Sequence, residues 1–470
     1  MSIRIYSHGG AGEVTGSKHF LDTGKTVVMI DCGAFQGKRA EADEKNREWG
    51  FNPRNLDAVV LTHAHFDHCG LLPLLPKKGY PGNIYSTAAT RDLASIVMLD
   101  SARIQARDAQ YLKKQAKKKN QEFSWEPLYT EKDAINATNH FVTVSYQRPL
   151  YLSSEVEVSF YDAGHILGSG LAYFTIRKES GETLNLAFSG DLGRKNKPII
   201  RDPAMIPNVD YLVLESTYGD RLHEPAKDIM KILSAVVNDT VARNGKIIIP
   251  AFAIGRTQEI IFYLHLLADE KKIPEIPIYV DSPMSTNATS IFRVHPECYD
   301  EEINRAFIDH HSNPFGFNTL KYIESVDESK ELNRFQGSAI IISSSGMCEA
   351  GRIQHHLLHT LDDSRNTILL VGYMAENTLG RKIKDRHPRI RILGEEVEVK
   401  AQVAEINALS AHADYMEAWE YVSGLDLKQL KKIFLVHGEG EALTRFKTLL
   451  LSKGVAAVEI VQYGKTYELA

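Results

Sequence analysis

The run Thr62-His63-Ala64-His65-Phe66-Asp67-His68 constrains this chain more than any other stretch. Three imidazoles and a carboxylate fall within residues 63–68, in a protein with 18 histidines over 470 positions. The run follows Ala58-Val59-Val60-Leu61, an apolar stretch with the character of a buried strand. Side chains alternate along an extended backbone, so His63 and His65 point the same way. A turn after Phe66 lets Asp67 and His68 face a second point nearby. Neutral imidazole and carboxylate are ligands that Zn²⁺ favours, at about 2.0–2.2 Å. A local run cannot complete a two-metal site, so it predicts isolated His and Asp residues at the ends of other strands, far along the chain.

The later sequence supplies them. Ala163-Gly164-His165 separates β-rich segments at 155–161 and 171–176, and Ser189-Gly190-Asp191 closes a third at 183–188. An apolar strand at 210–215 ends in Glu215-Ser216-Thr217-Tyr218-Gly219. Leu409-Ser410-Ala411-His412-Ala413-Asp414 precedes a helix expected at 415–423, and the strand 432–436 ends at His437-Gly438-Glu439. Asp31 ends an earlier apolar strand at 25–30. A carboxylate there suits a turn, or the orienting of a metal-bound His. The glycine-rich stretch His8–Ser17 has neither of the nucleotide-binding spacings.

Composition narrows the class. At 43% hydrophobic and 24% charged, with a net charge of −5, this is an ordinary soluble globular protein of two or three domains. Apolar runs such as 246–252 are strand-length, so no membrane partner is expected, and Met1–Ile5 has no signal-peptide pattern. Four scattered cysteines (Cys32, Cys69, Cys298, Cys348) suggest a reducing cytoplasm rather than a disulfide framework. Lys113, Lys114, Lys117, Lys118 and Lys119 read as the solvated end of a helix. From 216 onward strands alternate with helices, the first of them expected at 227–242, as in βαβ units and a parallel doubly wound sheet. The first pattern then returns. The expected organisation is an α/β chain with residues 1–215 and 394–470 forming one domain and 216–393 inserted into it.

The spaced set His63, His65, Asp67, His68, His165 and Asp191 resembles the metallo-β-lactamase superfamily. Glu215 in Glu-Ser-Thr-Tyr-Gly, His412 in Ser-Ala-His-Ala-Asp and His437 in Val-His-Gly-Glu are similar to motifs A, B and C of its β-CASP nucleases. Ala253-Ile254-Gly255-Arg256-Thr257-Gln258-Glu259, Ser344-Ser345-Gly346-Met347 and Gly372-Tyr373-Met374-Ala375-Glu376 extend the similarity over nearly the whole chain. The resemblance is to the RNA-processing members, the cleavage-and-polyadenylation endonuclease subunit and its short bacterial relatives among them.

The resemblance implies a metallo-β-lactamase αββα sandwich with an inserted Rossmann-like β-CASP domain that closes over the metal site. It implies two Zn²⁺, one held by His63, His65 and His165 and the other by Asp67, His68 and His437. Asp191 would bridge them together with a water or hydroxide, and Asp31 would support a ligand. It places Asp67 in the catalytic set, with His412 as general acid, oriented and kept protonated by Glu215. The reaction implied is hydrolysis of single-stranded RNA by the metal-bridged hydroxide, endo- or 5′-exonucleolytic, leaving 5′-phosphate and 3′-hydroxyl ends. His437 points to RNA, since the DNA-repair branch commonly has an apolar residue there. Arg256 and the Ser344-Ser345-Gly346 turn are expected to grip backbone phosphates, a task suited to guanidinium and turn amides. The competing readings are a zinc hydrolase of small esters or thioesters and an RNA-binding scaffold of little activity. Motifs A to C speak against the first, and the complete ligand set against the second. A homodimer is left open, with a strand at 457–463 serving either the sheet or an interface.

Overall fold

The computed structural model describes residues 2–120, 122–223, 229–301, 303–305, 313–372, 374–375, 377–406 and 409–470. Lys227, at the expected start of an inserted-domain helix, and Tyr373 and Glu376 of the Gly-Tyr-Met-Ala-Glu motif lie outside the described residues. The chain forms two compact units, one of Met1–Leu222 with Ala411–Ala470 and one of His223–Ser410. Among the described residues no helix is long and apolar enough to cross a membrane.

The first unit is built on two seven-stranded sheets. One runs in the order Tyr467–Leu469, Ile3–Ser7, His19–Asp22, Val27–Ile30, Ala58–Val60, Ile84–Ser86, Phe141–Thr143. The other runs Val458–Ile460, Lys432–Val436, Tyr211–Glu215, Thr183–Phe188, Gly170–Arg177, Val156–Asp162, Leu150–Tyr151. Period-two alternation explains the layering. Tyr211 and Val213 enter one core with Val28, Ile30, Val60, Phe160 and Phe174 from both sheets. Their neighbours Leu212 and Leu214 enter another, with Ala418 and Val422 of the helix Tyr415–Ser423 and Phe446 and Leu450 of the helix Gly440–Ser452. Strands buried on both faces read as continuous apolar runs, which is why they were visible in the sequence. The result is the αββα sandwich. Each large aliphatic side chain so buried contributes about 1.5–3 kcal/mol.

The second unit carries a six-stranded parallel sheet in the order Leu320–Tyr322, Ile278–Val280, Ile340–Ser343, Ile247–Pro250, Thr367–Leu370, Gln402–Glu405. Helices Ile229–Ala242, Arg256–Asp269, Pro283–Val294, Val326–Arg334 and Ile353–Leu358 alternate with its strands, as the sequence pattern required. Its end differs from the expected 393. Gln402–Glu405 pairs in parallel with Thr367–Leu370. Ile390, Ile392, Val397 and Ala401 pack with Ile248 and Ile341 of the same sheet. Its start is also later than 216, since Tyr218 bridges to Asp414 within the first unit. The tail strand narrows to Val458–Ile460 and joins the second sheet beside Lys432–Val436. A further strand that the sequence did not announce, Tyr467–Leu469, pairs antiparallel with Ile3–Ser7.

The His63–His68 run is pinned by its backbone. Ser17, Cys32 and Ala34 donate their N–H groups to the carbonyls of Asp67, His68 and Phe66 at 2.9, 2.8 and 3.1 Å. Gly33 is required for this approach, because a Cβ there would lie 1.5 Å from the Asp67 carbonyl oxygen. Gly33→Ala is therefore expected to destabilise the protein by about 1–3 kcal/mol or more, the usual result of overpacking. A urea midpoint equal to wild type would show that the two segments can separate without cost.

Candidate metal centre

The side chains singled out in the sequence emerge at strand ends. Asp31 follows Val27–Ile30, and Thr62 to Cys69 follow Ala58–Val60, with a helical turn at Phe66–Cys69. His165 lies on the connection between Val156–Asp162 and Gly170–Arg177, and Asp191 follows Thr183–Phe188. Glu215 ends Tyr211–Glu215, and His437 follows Lys432–Val436. Asp31 and His437 hold left-handed backbone, at φ +62° and +49°. Such a conformation costs about 1–3 kcal/mol in a non-glycine residue and persists where its surroundings over-determine it. Here the His437 N–H is fixed to the Gly10 carbonyl at 2.7 Å and the Asp31 N–H to the Val60 carbonyl at 2.9 Å.

Asp191 joins the set together. Its Oδ2 lies 3.3 Å from His63 Nε2 and 3.5 Å from His165 Nε2. Its Oδ1 lies 3.3 Å from His68 Nε2 and 3.6 Å from His437 Nδ1. His65 Nδ1 is 3.1 Å from His63 Nε2 and 3.0 Å from His165 Nε2. His437 Nε2 is 3.4 Å from both His68 Nε2 and Asp67 Oδ2. Two donor groups result, His63, His65, His165 with Asp191, and Asp67, His68, His437, each with its ligand atoms within 4.8 Å of one another.

These residues fit metal ions. Donors about 2.0–2.1 Å from a tetrahedral zinc stand about 3.3 Å apart, which is the spacing seen between these nitrogens and oxygens. Asp191 is 2% exposed and its Oδ1 accepts no hydrogen bond, an orphan that a bound cation would satisfy. Burial pushes the His63 and His165 imidazoles down and that of His65 to about 3, leaving all three neutral with lone pairs to give. Burial acts the same way on His68 and His437, but Asp191, with Asp31 beside one and Asp67 beside the other, overcomes it and raises both. A cation would take over that stabilising role from the proton.

The outward nitrogens are assigned by neighbours. Asp31 Oδ2 accepts from His68 Nδ1 at 2.7 Å, so Nε2 is the donor atom on that ring. Asp31 is itself held by the Thr62 N–H and hydroxyl at 2.8–3.0 Å. The Thr217 hydroxyl donates to the His437 carbonyl at 3.2 Å and accepts from His437 Nδ1 at 2.9 Å, leaving Nε2 toward Asp67 and His68. Sequence reasoning missed Thr217. A single threonine after a strand carries no local signal of a partner 220 residues away.

His412 stands beside this cluster. Its Nδ1 donates to Glu215 Oε1 at 3.0 Å and is 3.8 Å from Asp191 Oδ2. Glu215 is fixed by the N–H groups of Leu192 and Thr217 at 2.9 and 3.0 Å. The Ala413 N–H bonds the Leu192 carbonyl at 2.8 Å, which ties the His412 segment to the Asp191 loop. Burial would lower the His412 pKa, but Glu215 and Asp191 reverse the effect and bring it to about 9. Its side chain remains 20% exposed, so it borders solvent where Glu215 and Asp191 do not.

Arg256, Ser344, Ser345 and Gly346 lie in the second unit. Arg256 is only 9% exposed and pairs with Glu259 on its own helix at 2.8 Å. Ser344 Oγ is bonded to Ser282 Oγ at 2.6 Å, and Ser345 Oγ accepts the N–H groups of Glu349 and Ala350. Gly346 packs against the Phe252 ring. These residues thus have structural partners of their own.

Comparison with known proteins agrees with the geometry. The Metallo-beta-lactamase superfamily matches residues 12–165, the Beta-Casp domain 257–383, and the Zn-dependent metallo-hydrolase RNA specificity domain 396–460. The chain is 36% identical to Ribonuclease TTHA0252 of Thermus thermophilus, over 98% of this chain and 99% of that one. The chain belongs to the β-CASP branch of the metallo-β-lactamase superfamily. Two further relatives are each named Transcription termination factor FttA. The Methanosarcina mazei protein is 31% identical over 94% of this chain and 67% of its own length. The Methanocaldococcus jannaschii protein is 33% identical over 93% and 67%. A solved structure of a protein of unknown function from Enterococcus faecalis V583 shares the fold, with a TM-score of 0.55 and 12% identity over the whole of both chains.

Metal content tests the centre. Asp191→Ala is expected to lose bound metal, measured by elemental analysis of the purified protein. Thr217→Val should keep the fold and weaken metal affinity about 10–100-fold, as loss of a ligand's hydrogen-bonding partner does. Full occupancy in Asp191→Ala would remove that carboxylate from the ligand set.

Proposed function

We propose that this chain is a zinc-dependent ribonuclease that hydrolyses phosphodiester bonds of single-stranded RNA and leaves 5′-phosphate and 3′-hydroxyl ends. The observation that carries this reading is the Asp191 carboxylate, which faces two histidine groups at once and has the His412–Glu215 pair beside it. The full-length similarity to a protein named as a ribonuclease and the match to an RNA specificity domain support the choice of substrate.

His63, His65 and His165 would hold one zinc, and Asp67, His68 and His437 the other, with Asp191 shared between them. Bound there, the pair supplies Lewis acidity to the phosphoryl group and makes water acidic enough to attack near neutral pH. Asp31 and Thr217 keep the His68 and His437 rings in the tautomer that presents Nε2. Asp67 is held well below the usual carboxylate range by His437 and His68 against the pull of burial while those rings are protonated, and a cation in their place would keep it ionised. Glu215, by accepting from Nδ1, favours the doubly protonated His412 ring, and the Nε2 proton of that imidazolium is delivered to the departing 3′-oxygen. Glu215 raises the His412 pKa against the pull of burial and so favours the loaded acid. Acid assistance of this kind contributes about 10²–10⁴ in rate, or about 3–6 kcal/mol.

The test uses 5′-labelled single-stranded RNA with mass analysis of both product ends. Wild type is expected to yield 5′-phosphate and 3′-hydroxyl ends, and His412→Ala to keep its metal while losing about 10²–10⁴ in kcat. Cyclic-phosphate products would overturn the mechanism. Turnover of small thioesters but not of RNA would overturn the substrate.

A further inference from the structure

An aromatic cluster stands at the same edge of the first sheet as the metal centre. Ser7 pairs with His19, and His19 with Ile30, so His8 and Asp31 leave their strands at that common edge. One strand separates Ile3–Ser7 from Val27–Ile30, about 10 Å across the sheet. The His8 ring lies 5.3 Å from Tyr463, edge to face at 86°, and 6.1 Å from Phe51. Phe20 and Trp49, both buried, support them from beneath, at 5.0 and 5.1 Å from the Phe51 ring.

The cluster is coupled to the ligands on both sides. The backbone runs from His8 through Gly9 to Gly10, whose carbonyl accepts the His437 N–H at 2.7 Å. The Tyr463 turn is pinned by the Gly464 N–H to the Ser7 carbonyl at 2.8 Å. Asn46, which precedes Trp49, bonds both the N–H and carbonyl of Phe35 on the Asp31 loop.

Tyr463 is 55% exposed, while Phe20 and Trp49 at the base of the cluster are buried. A large ring left in water beside a reaction centre forgoes burial that a flat partner would restore. Burial and the nearby Lys18 lower the His8 pKa, so its ring is an uncharged π surface at neutral pH. Its Nδ1 is buried without a hydrogen-bond partner, so packing rather than bonding places the ring.

We propose that the exposed Tyr463 ring, buttressed edge-on by His8 and behind it by Phe51, is a stacking surface for an RNA base close to the scissile phosphate. The inference rests on the ribonuclease reading and adds a base-binding subsite to it. Every nucleobase has a π face, so such a platform positions the strand without reading its sequence.

The test measures KM for single-stranded RNA in Tyr463→Ala, with Tyr463→Phe and Tyr463→Trp as rescues and His8→Ala as a second lesion. Tyr463→Ala should raise KM about 5- to 150-fold, the loss expected for one stacked base. Phe and Trp should restore it. The kcat at saturating RNA should be unchanged in every variant, as should metal content, since a ground-state stacking contact moves KM alone. In wild type, one abasic position near the cleavage point should raise KM by a similar factor and add nothing further in Tyr463→Ala. An unchanged KM in both alanine variants, or penalties that multiply in the abasic cycle, would overturn the platform. Failure of wild type to cut RNA would instead overturn the ribonuclease reading beneath it.

Discussion

A buried carboxylate between four imidazoles governs the first unit. Asp191 gives Oδ2 to His63 and His165 and Oδ1 to His68 and His437. Removing such a charge from water costs several kcal/mol unless opposite charge compensates it. Protonated imidazoles or bound cations supply that charge, and both need donors from the two sheets to meet at one edge. The αββα arrangement answers that need. His63, His65, Asp67 and His68 come from the first sheet, and His165, Asp191 and His437 from the second.

The ligands are fixed less by their own rotamers than by what stands behind them. Asp31 is locked by Thr62 and in turn locks His68, while Thr217 grips His437 from two sides. Glu215 joins the Leu192 and Thr217 amides to His412, so His412 and the Asp191 loop share one anchor. Left-handed backbone at Asp31 and His437 is the conformational cost of bringing these groups together.

Much of this was legible in the residues, for identifiable reasons. His63 to His68 fall within two turns of chain, so their chemistry is visible locally, and the glycines flanking His165 and Asp191 marked strand ends. The doubly wound insertion was visible because its strands, such as Ile247–Pro250 and Ile340–Ser343, are buried on both faces and hence uniformly apolar. The end of the insertion was not. Alternating segments such as 395–398 and 402–405 fit either sheet equally well, and only pairing with Thr367–Leu370 assigns the latter. Thr217 and the strand Tyr467–Leu469 escaped notice because their partners lie hundreds of residues away. Arg256 was visible only through its motif, and the pairing that the fold gives it, with Glu259 three residues on, carries no signal of its own in the sequence.

The discontinuity of the first unit has a consequence for its biosynthesis. His412 and His437 leave the ribosome only after all of His223–Ser410, and Tyr467–Leu469 follows them to zip against Ile3–Ser7. A nascent chain therefore carries the early histidines and Asp191 without His412 or His437, so the proposed two-metal centre comes together only after the whole inserted unit has been made.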